Sequence, residues 1–306
     1  MNLNGVRPES NRDVDSTSGV DLFALGESLG HDALRKRMAV EKERTQRDFY
    51  VRSRRRGLSS YLWRNEFLDF SLRALRLYDR GYTNFKDVEI RHNVVHMSSL
   101  PPAFDGYRLL HLSDLHIDLE DELTDVLLGL IRDLTYDLCV LTGDYRAQTA
   151  GSSLAVVQEI GRVIEAIDTP IYATLGNHDF IDVVPMLEAQ GVRFLLTESV
   201  MVEQGNAYLY LAGIDDAHTY ETHDLALATA TIPPDHVSIL LSHTPDVYAE
   251  AAAHDYDLLL SGHTHAGQIC LPGGLAIERN IRGPSELLQG RWQYGQMIGY
   301  TSAGAG

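Results

Sequence analysis

Cysteine occurs only twice in the 306 residues, at Cys139 and Cys270. Two thiols so far apart, in no paired spacing, exclude a disulfide framework and a zinc knuckle, and both read as small buried apolar side chains. Long apolar runs are missing as well. No stretch reaches the roughly 18 residues of a membrane span, and the N-terminus lacks the basic then apolar order of a secretory signal. The run "SRRRGLSSYL" at 53–62 has the arginines of an export signal, but Arg64, Glu66 and Asp69 interrupt the apolar stretch that should follow. The expected location is the cytoplasm. Basic residues are scarce too, with 26 Lys plus Arg against 43 Asp plus Glu, for a net charge of −17. Affinity for duplex nucleic acid comes largely from neutralising phosphates, so no duplex binding is expected.

The few bases are concentrated: residues 31–80 hold 14 of the 26, with 7 acids among them. Residues 1–30 are rich in Ser, Asp, Asn and Gly and are expected to be disordered. A helical extension is expected over 31–82. Its first half, "ALRKRMAVEKERTQRDFYVRSRRR", is charged with few apolar anchors. Its second half places Trp63, Phe67, Phe70, Ala74, Leu77 and Tyr78 three and four apart, and Gly81 ends it. Arg52, Arg54, Arg55 and Arg56 precede that aromatic face. Two readings stay open: the stripe packs on the main domain, or it is a peripheral contact with an anionic membrane at its inner face.

After the linker "SSLPPAFDG", residues 83–306 alternate short apolar runs with helical patterns, the signature of a layered α/β domain. Strands are expected at "YRLLHLS", "DLCVLTG", "PIYATLG", "VRFLL", "AYLYLAGI", "HVSILLSH", "DLLLSGH" and "MIGYTSAG". Helices are expected at 121–133, 153–167, 183–190, 223–230 and 245–253.

Five of the strands end in polar clusters of one kind: "SDLHID", "TGDYR", "LGNHDF", "LSHTPD" and "SGHTHAG". Carboxyl ends of strands are where sites form in open α/β sheets, because the loops there converge. Residues i and i+2 of a strand share a side, so Asp114 with His116, and His263 with His265, are expected to aim into one site. The pooled donors are Asp114, His116, Asp144, Asn177, His243, His263 and His265. Nitrogen and oxygen without thiolate suit Mn, Fe, Zn, Co or Ni better than Mg or Ca. Seven donors exceed one tetrahedral ion. Two ions about 3.5–4 Å apart, bridged by one carboxylate, use them all. Only Asp114 and Asp144 among these donors are anionic, so the loaded site would remain positive, hold a phosphate oxyanion and supply a nucleophile at neutral pH. Two further groups keep two readings each. Arg146 either contacts substrate phosphate or braces a loop, and His218, Tyr220 and His223 either line the cleft or belong to a solvated loop.

The ordered blocks Asp-x-His, Gly-Asp, Gly-Asn-His-Asp, His and Gly-His-x-His resemble those of the calcineurin-like metallophosphoesterases, over roughly residues 105–306. The resemblance implies a four-layer αββα sandwich of two mixed sheets. It also implies that Asp114, His116 and His265 hold one metal, that Asn177, His243 and His263 hold the other, and that Asp144 bridges them. A bridging hydroxide would attack phosphorus, His178 would assist the leaving group, and Asp179 would orient His178. The wording "HLSDLHID", "TGDY", "GNHD" and "SGHTHAGQI" is similar to a bacterial branch of phosphohydrolases and, more distantly, to UDP-2,3-diacylglucosamine pyrophosphatases. That likeness favours a diester or pyrophosphate substrate, lipid-linked ones included. A phosphomonoesterase and a non-catalytic metal-binding interaction module are the alternatives. Relatives tend to carry a further strand after "TSAGAG", so the expectation is a truncated C-terminal sheet edge.

Overall fold

The computed structural model describes residues 21–53, 87–120, 122–267, 270–271, 275–276 and 279–305, without the side chains of 47–53, 270–271 and 275–276. The aromatic stripe from Trp63 to Tyr78 and the arginines at 54–56 lie outside the described residues, as do residues 1–20. The chain enters through helices α1 (Leu22–Leu29) and α2 (His31–Ser53). Helix α1 falls inside the stretch expected to be disordered. Asp21 caps it by accepting from the Phe23 and Ala24 amides. Leu25 and Leu29, four apart, then bury one face in the domain core. Apolar spacing at this short range outweighs the polar composition around it.

Period-two alternation builds the layers that follow. Strands β1 (Leu109–Leu112), β2 (Leu138–Leu141), β3 (Ile171–Ala173) and β4 (Val192–Phe194) pair in parallel in the order β1-β2-β3-β4. A second sheet contains β5 (Thr197–Gln204), β6 (Ala207–Ile214), β7 (Ser238–Leu241) and β8 (Leu258–Ser261). A two-stranded ribbon, β9 (Cys270–Leu271) with β10 (Leu275–Ala276), precedes the strands that complete that sheet, β11 (Gly290–Tyr294) and β12 (Met297–Thr301). Its order is β11-β12-β8-β7-β6-β5, with antiparallel edges around four parallel strands.

Leu138 and Val140 of β2 share one core with Ile239 and Leu241 of β7 and Leu258 and Leu260 of β8, so the two sheets face each other. The alternate residues Cys139 and Leu141 face outward under helices α3 (Leu123–Ile131), α4 (Leu154–Glu165) and α5 (Val183–Glu188). Helix α4 shows why it lies there: Val156, Val157, Ile160, Val163 and Ile164 line one side at spacings of three and four. On the far sheet Leu240 and Leu259 pack with residues of α6 (Leu225–Thr229) and α7 (Tyr248–Ala253). The result is the four-layer αββα sandwich. All eight expected strands and five expected helices form within the described residues; β5 and β11, at the edges of the larger sheet, and the β9–β10 ribbon are additional to them.

Candidate metal centre

Each donor of the pooled set sits just past a strand: Asp114 and His116 after β1, Asp144 after β2, Asn177 after β3, His243 after β7, and His263 and His265 after β8. The first three strands belong to one sheet and the last two to the other, so the site spans the seam between the sheets at one shared end. The expected reason for the paired aim was strand alternation, and the structure replaces it. Asp114 (φ 52°), His116 (φ 40°), Asp144 (φ 56°), His263 (φ 71°) and His265 (φ 47°) all take left-handed backbone. This conformation costs a side-chain-bearing residue of order 1 kcal/mol or more, and it concentrates at functional sites. Backbone bonds hold it, from the Asp114 amide to Gly143 O (3.0 Å) and from the His116 amide to Asp144 O (3.1 Å). Two glycines allow the close approach. A Cβ on Gly262 would strike Ser113 Oγ and Asp114 Oδ2, and one on Gly176 would strike Asp144.

Two clusters result. In one, Asp114, His116 and His265 each offer a donor atom within 4.8 Å of the others'. His116 Nε2 is 3.1 Å from His265 Nε2, and His265 Nε2 is 3.5 Å from Asp114 Oδ1. In the other, Asp144, His243 and His263 do the same. His243 Nε2 lies 3.3 Å from Asp144 Oδ2, 2.9 Å from Asn177 Oδ1 and 3.1 Å from His263 Nδ1. Asp144 Oδ2 also lies 3.8 Å from His116 Nε2, so one carboxylate touches both clusters.

The hydrogen-bond sense of the rings tests whether cations fit. His116 Nδ1 donates to Arg146 O (2.9 Å) and His243 Nδ1 to Thr142 O (2.8 Å), which fixes the proton of each ring on Nδ1. Each Nε2 is therefore left as a lone pair, turned toward carboxylate and amide oxygens and a neighbouring imidazole nitrogen. His263 Nε2 is buried without a partner. Proton sharing alone would leave the site divided. Burial lowers His243, but Asp144 and Asp114 raise it more, to about 10. Burial would raise Asp144, yet the surrounding His243, His178 and His116 hold it well below the usual carboxylate range. Burial and then the charge on His243 push His263 well below its usual value, so one ring holds a proton at the expense of its neighbour. A convergence of carboxylate oxygens and imidazole lone pairs is the chemistry of a cation site.

The remaining expected residues divide. The His178 backbone amide donates to Asp144 Oδ1 (2.8 Å) and its Nδ1 to Ala147 O (2.6 Å), with the ring edge-on to His116 at 5.2 Å. His218 tilts over His263, ring centres 4.3 Å apart, and its Nδ1 lies 3.4 Å from Asp246. One expectation is corrected, and two residues with open readings find other partners. Asp179 does not orient His178: its buried carboxylate accepts from the amides of Asp144 (2.7 Å), Tyr145 (2.9 Å) and Gly176 (2.8 Å), because those amides have no strand partner beyond the ends of β2 and β3. Arg146 braces a loop, the second of its two readings, buried with its guanidinium on Ala150 O (2.9 Å) and Ser153 Oγ (3.2 Å) and over the Phe180 ring. Tyr220 is fully buried, its hydroxyl on Asp179 O (3.3 Å), and does not line the cleft. His223, 3.6 Å from Glu250, is not brought to the clusters.

Sequence reasoning missed two contributors. Helix α2, read as charged with few anchors, presses Arg37, Glu41 and Arg44 against the loop that carries Asn177. The C-terminal stretch returns to the site, with the Ala305 amide on Ser113 O (3.1 Å) and Gly304 against Asp114 and His265. The helix left a readable trace in the charged residues 37, 41 and 44, spaced as one helix face.

Comparison with known proteins points to one family. The model of the calcineurin-like phosphoesterase family matches residues 107–267. A bovine "Transmembrane protein with metallophosphoesterase domain" is 32% identical over 191 residues, which cover 56% of this chain and 43% of that protein. The Bacillus subtilis "Uncharacterized metallophosphoesterase YkoQ" is 29% identical over 198 residues, 62% of this chain and 72% of that one. Among solved structures, the Thermus thermophilus sulfate thiohydrolase SoxB aligns at 16% identity with a TM-score of 0.42, covering 70% of this chain and 53% of that one.

Proposed function

Given that the chain belongs to the calcineurin-like phosphoesterase family, we propose that it hydrolyses a phosphodiester or pyrophosphate, lipid-linked substrates included, using two divalent transition-metal ions (Mn, Fe or Zn). Asp114, His116 and His265 would hold one ion and Asn177, His243 and His263 the other, with Asp144 shared. One observation carries the reading. The Nε2 atoms of His116 and His243, each with its ring proton fixed on Nδ1 by a backbone carbonyl, are left as lone pairs that converge with Asp144 Oδ2, Asn177 Oδ1 and the His265 and His263 rings. When bound, the ions would polarise a phosphoryl oxygen and supply a strong nucleophile at neutral pH.

The chain's own residues do the positioning. Thr142 O and Arg146 O set the orientation of the two imidazoles through their Nδ1 protons. Asp144 Oδ1 holds the His178 backbone, and Ala147 O holds His178 Nδ1, which leaves Nε2 to deliver a proton to the departing ester oxygen. His218, over His263 and held by Asp246, is the remaining candidate for substrate contact. With the Arg146 guanidinium committed to the Ala150 carbonyl and the Ser153 hydroxyl, it offers nothing to a dianionic monoester, which supports a singly charged diester. Membrane contact through the 31–82 extension, from the cytoplasmic side, belongs to the same proposal. Among the described residues no helix is long and apolar enough to cross a membrane.

The test is a comparison of kcat/KM on bis(p-nitrophenyl) phosphate, p-nitrophenyl phosphate and UDP-diacylglucosamine, with protein reconstituted in Mn, Fe or Zn. The diester or the pyrophosphate should exceed the monoester. Turnover of none of the three by metal-loaded protein would return the chain to the class of interaction modules.

A further inference from the structure

Helix α2 meets the domain through Leu34, with Ala33 and Met38 beside it, and also through charge. Arg37 is fully buried, which is unfavourable for a guanidinium unless each nitrogen is satisfied. Here Nε lies 3.1 Å from Glu41, one terminal nitrogen 2.5 Å from Asp215, and the other donates to Asp179 O at 2.7 Å. The Tyr220 ring lies 3.9 Å from the guanidinium carbon. Glu41 in turn accepts from the Ile181 amide (2.9 Å), and Arg44 donates to Asn177 O. Positions 37, 41 and 44 form one helix face at i, i+4 and i+7, and they fix the backbone of alternate residues 177, 179 and 181. The same loop presents Asn177 Oδ1 to His243 and the His178 amide to Asp144. Lys36 on Glu221 O (2.8 Å) and Arg37 on Asp215 tie down the neighbouring loop that carries His218.

We propose that the face of α2 carrying residues 37, 41 and 44 is a positioning element of the metal centre: Arg44 and Arg37 clamp the loop bearing Asn177 and His178, and the ion held by Asn177, His243 and His263 binds tightly only while that clamp is closed. The inference rests on the two-ion reading above. Arg44 holds the backbone carbonyl of the residue whose side chain supplies the oxygen ligand. Releasing it frees the ligand to swing away from His243 without altering any ligand.

The test uses the full chain and the variants Arg44→Ala, Arg44→Lys and Arg35→Ala, the last an exposed residue paired, among the described residues, with Asp32. Arg37→Met would leave Asp215 buried and unpaired and endanger folding, so half-buried Arg44 carries the experiment. Zinc affinity is read by chelator competition, and backbone mobility by amide exchange over 177–181. Arg44→Ala should weaken one of the two ions by about ten- to a hundredfold, the range for loss of a group that supports a ligand, and speed exchange over 177–181. Arg44→Lys should recover part of both effects, and Arg35→Ala should show neither. A folded Arg44→Ala protein that binds both ions as tightly as wild type overturns the clamp alone. A wild-type protein that binds no zinc overturns the metallohydrolase reading beneath it.

Discussion

His178→Ala separates the chemical step from the metal site. The contact that ties this residue to Asp144 comes from its backbone amide (2.8 Å), which alanine retains, and the seven donors are untouched. What disappears is the ring, held by Ala147 O at 2.6 Å with Nε2 left for the leaving group. Loss of a general acid lowers turnover by about 10²–10⁴, equivalent to roughly 2.7–5.5 kcal/mol of barrier. The loss should depend on the leaving group: small for p-nitrophenolate, which departs without a proton, and large for an alkoxide, which does not. The assay is kcat at saturating bis(p-nitrophenyl) phosphate and at saturating dialkyl diester, for wild type and variant at equal metal content. An equal loss on both substrates, or a fall in bound metal, would refute the assigned role.

Other consequences are as specific. Gly262→Ala puts a methyl group into Asp114 Oδ2 and Ser113 Oγ, so it should displace the metal held by Asp114, His116 and His265, read as metal content after dialysis. Arg146→Met should lower thermal stability while leaving KM for a small diester unchanged, because its guanidinium serves the 150–153 loop; a several-fold rise in KM would restore it to the substrate site. Burial pushes the His111 imidazole down to about 4, against about 6.5 when unfolded. A ring kept neutral in the fold is protonated more readily in the unfolded chain. Stability of metal-free protein should therefore fall as pH drops from about 6.5 to about 4, by roughly 3 kcal/mol for this group. Urea unfolding of EDTA-treated protein across that range, with His111→Gln showing a shallower decline, is the check.

The fold was legible where burial imposes a pattern on sequence. Strands β2, β7 and β8 sit between layers and read as unbroken apolar runs, and α4 carries its stripe openly. Edge strands were harder. "TESVMVEQ" and "GRWQY" mix exposed and buried positions, although Gly205 and Asn206 form the two-residue turn that should have signalled the β5–β6 hairpin. The convergence of Asp114, His116, Asp144, Asn177, His243, His263 and His265 was legible because metal chemistry restricts residue types. The roles of Asp179, Arg146 and Tyr220 were not, since a carboxylate bonding amides, a guanidinium bonding carbonyls and a buried phenol leave the same letters in the sequence as functional groups do. Arg37 escaped for a related reason: hydropathy reads a charged residue as exposed, and only its partners, Asp215 and the carbonyl of Asp179, reveal it as an anchor.

Metal stoichiometry tests the account most directly. After reconstitution with zinc or manganese and dialysis, elemental analysis should find close to two ions per chain. His265→Ala and His243→Ala should each release one, and Asp144→Asn should weaken both. A chain that retains no ion with all seven donors intact, or whose metal content ignores those substitutions, would contradict it.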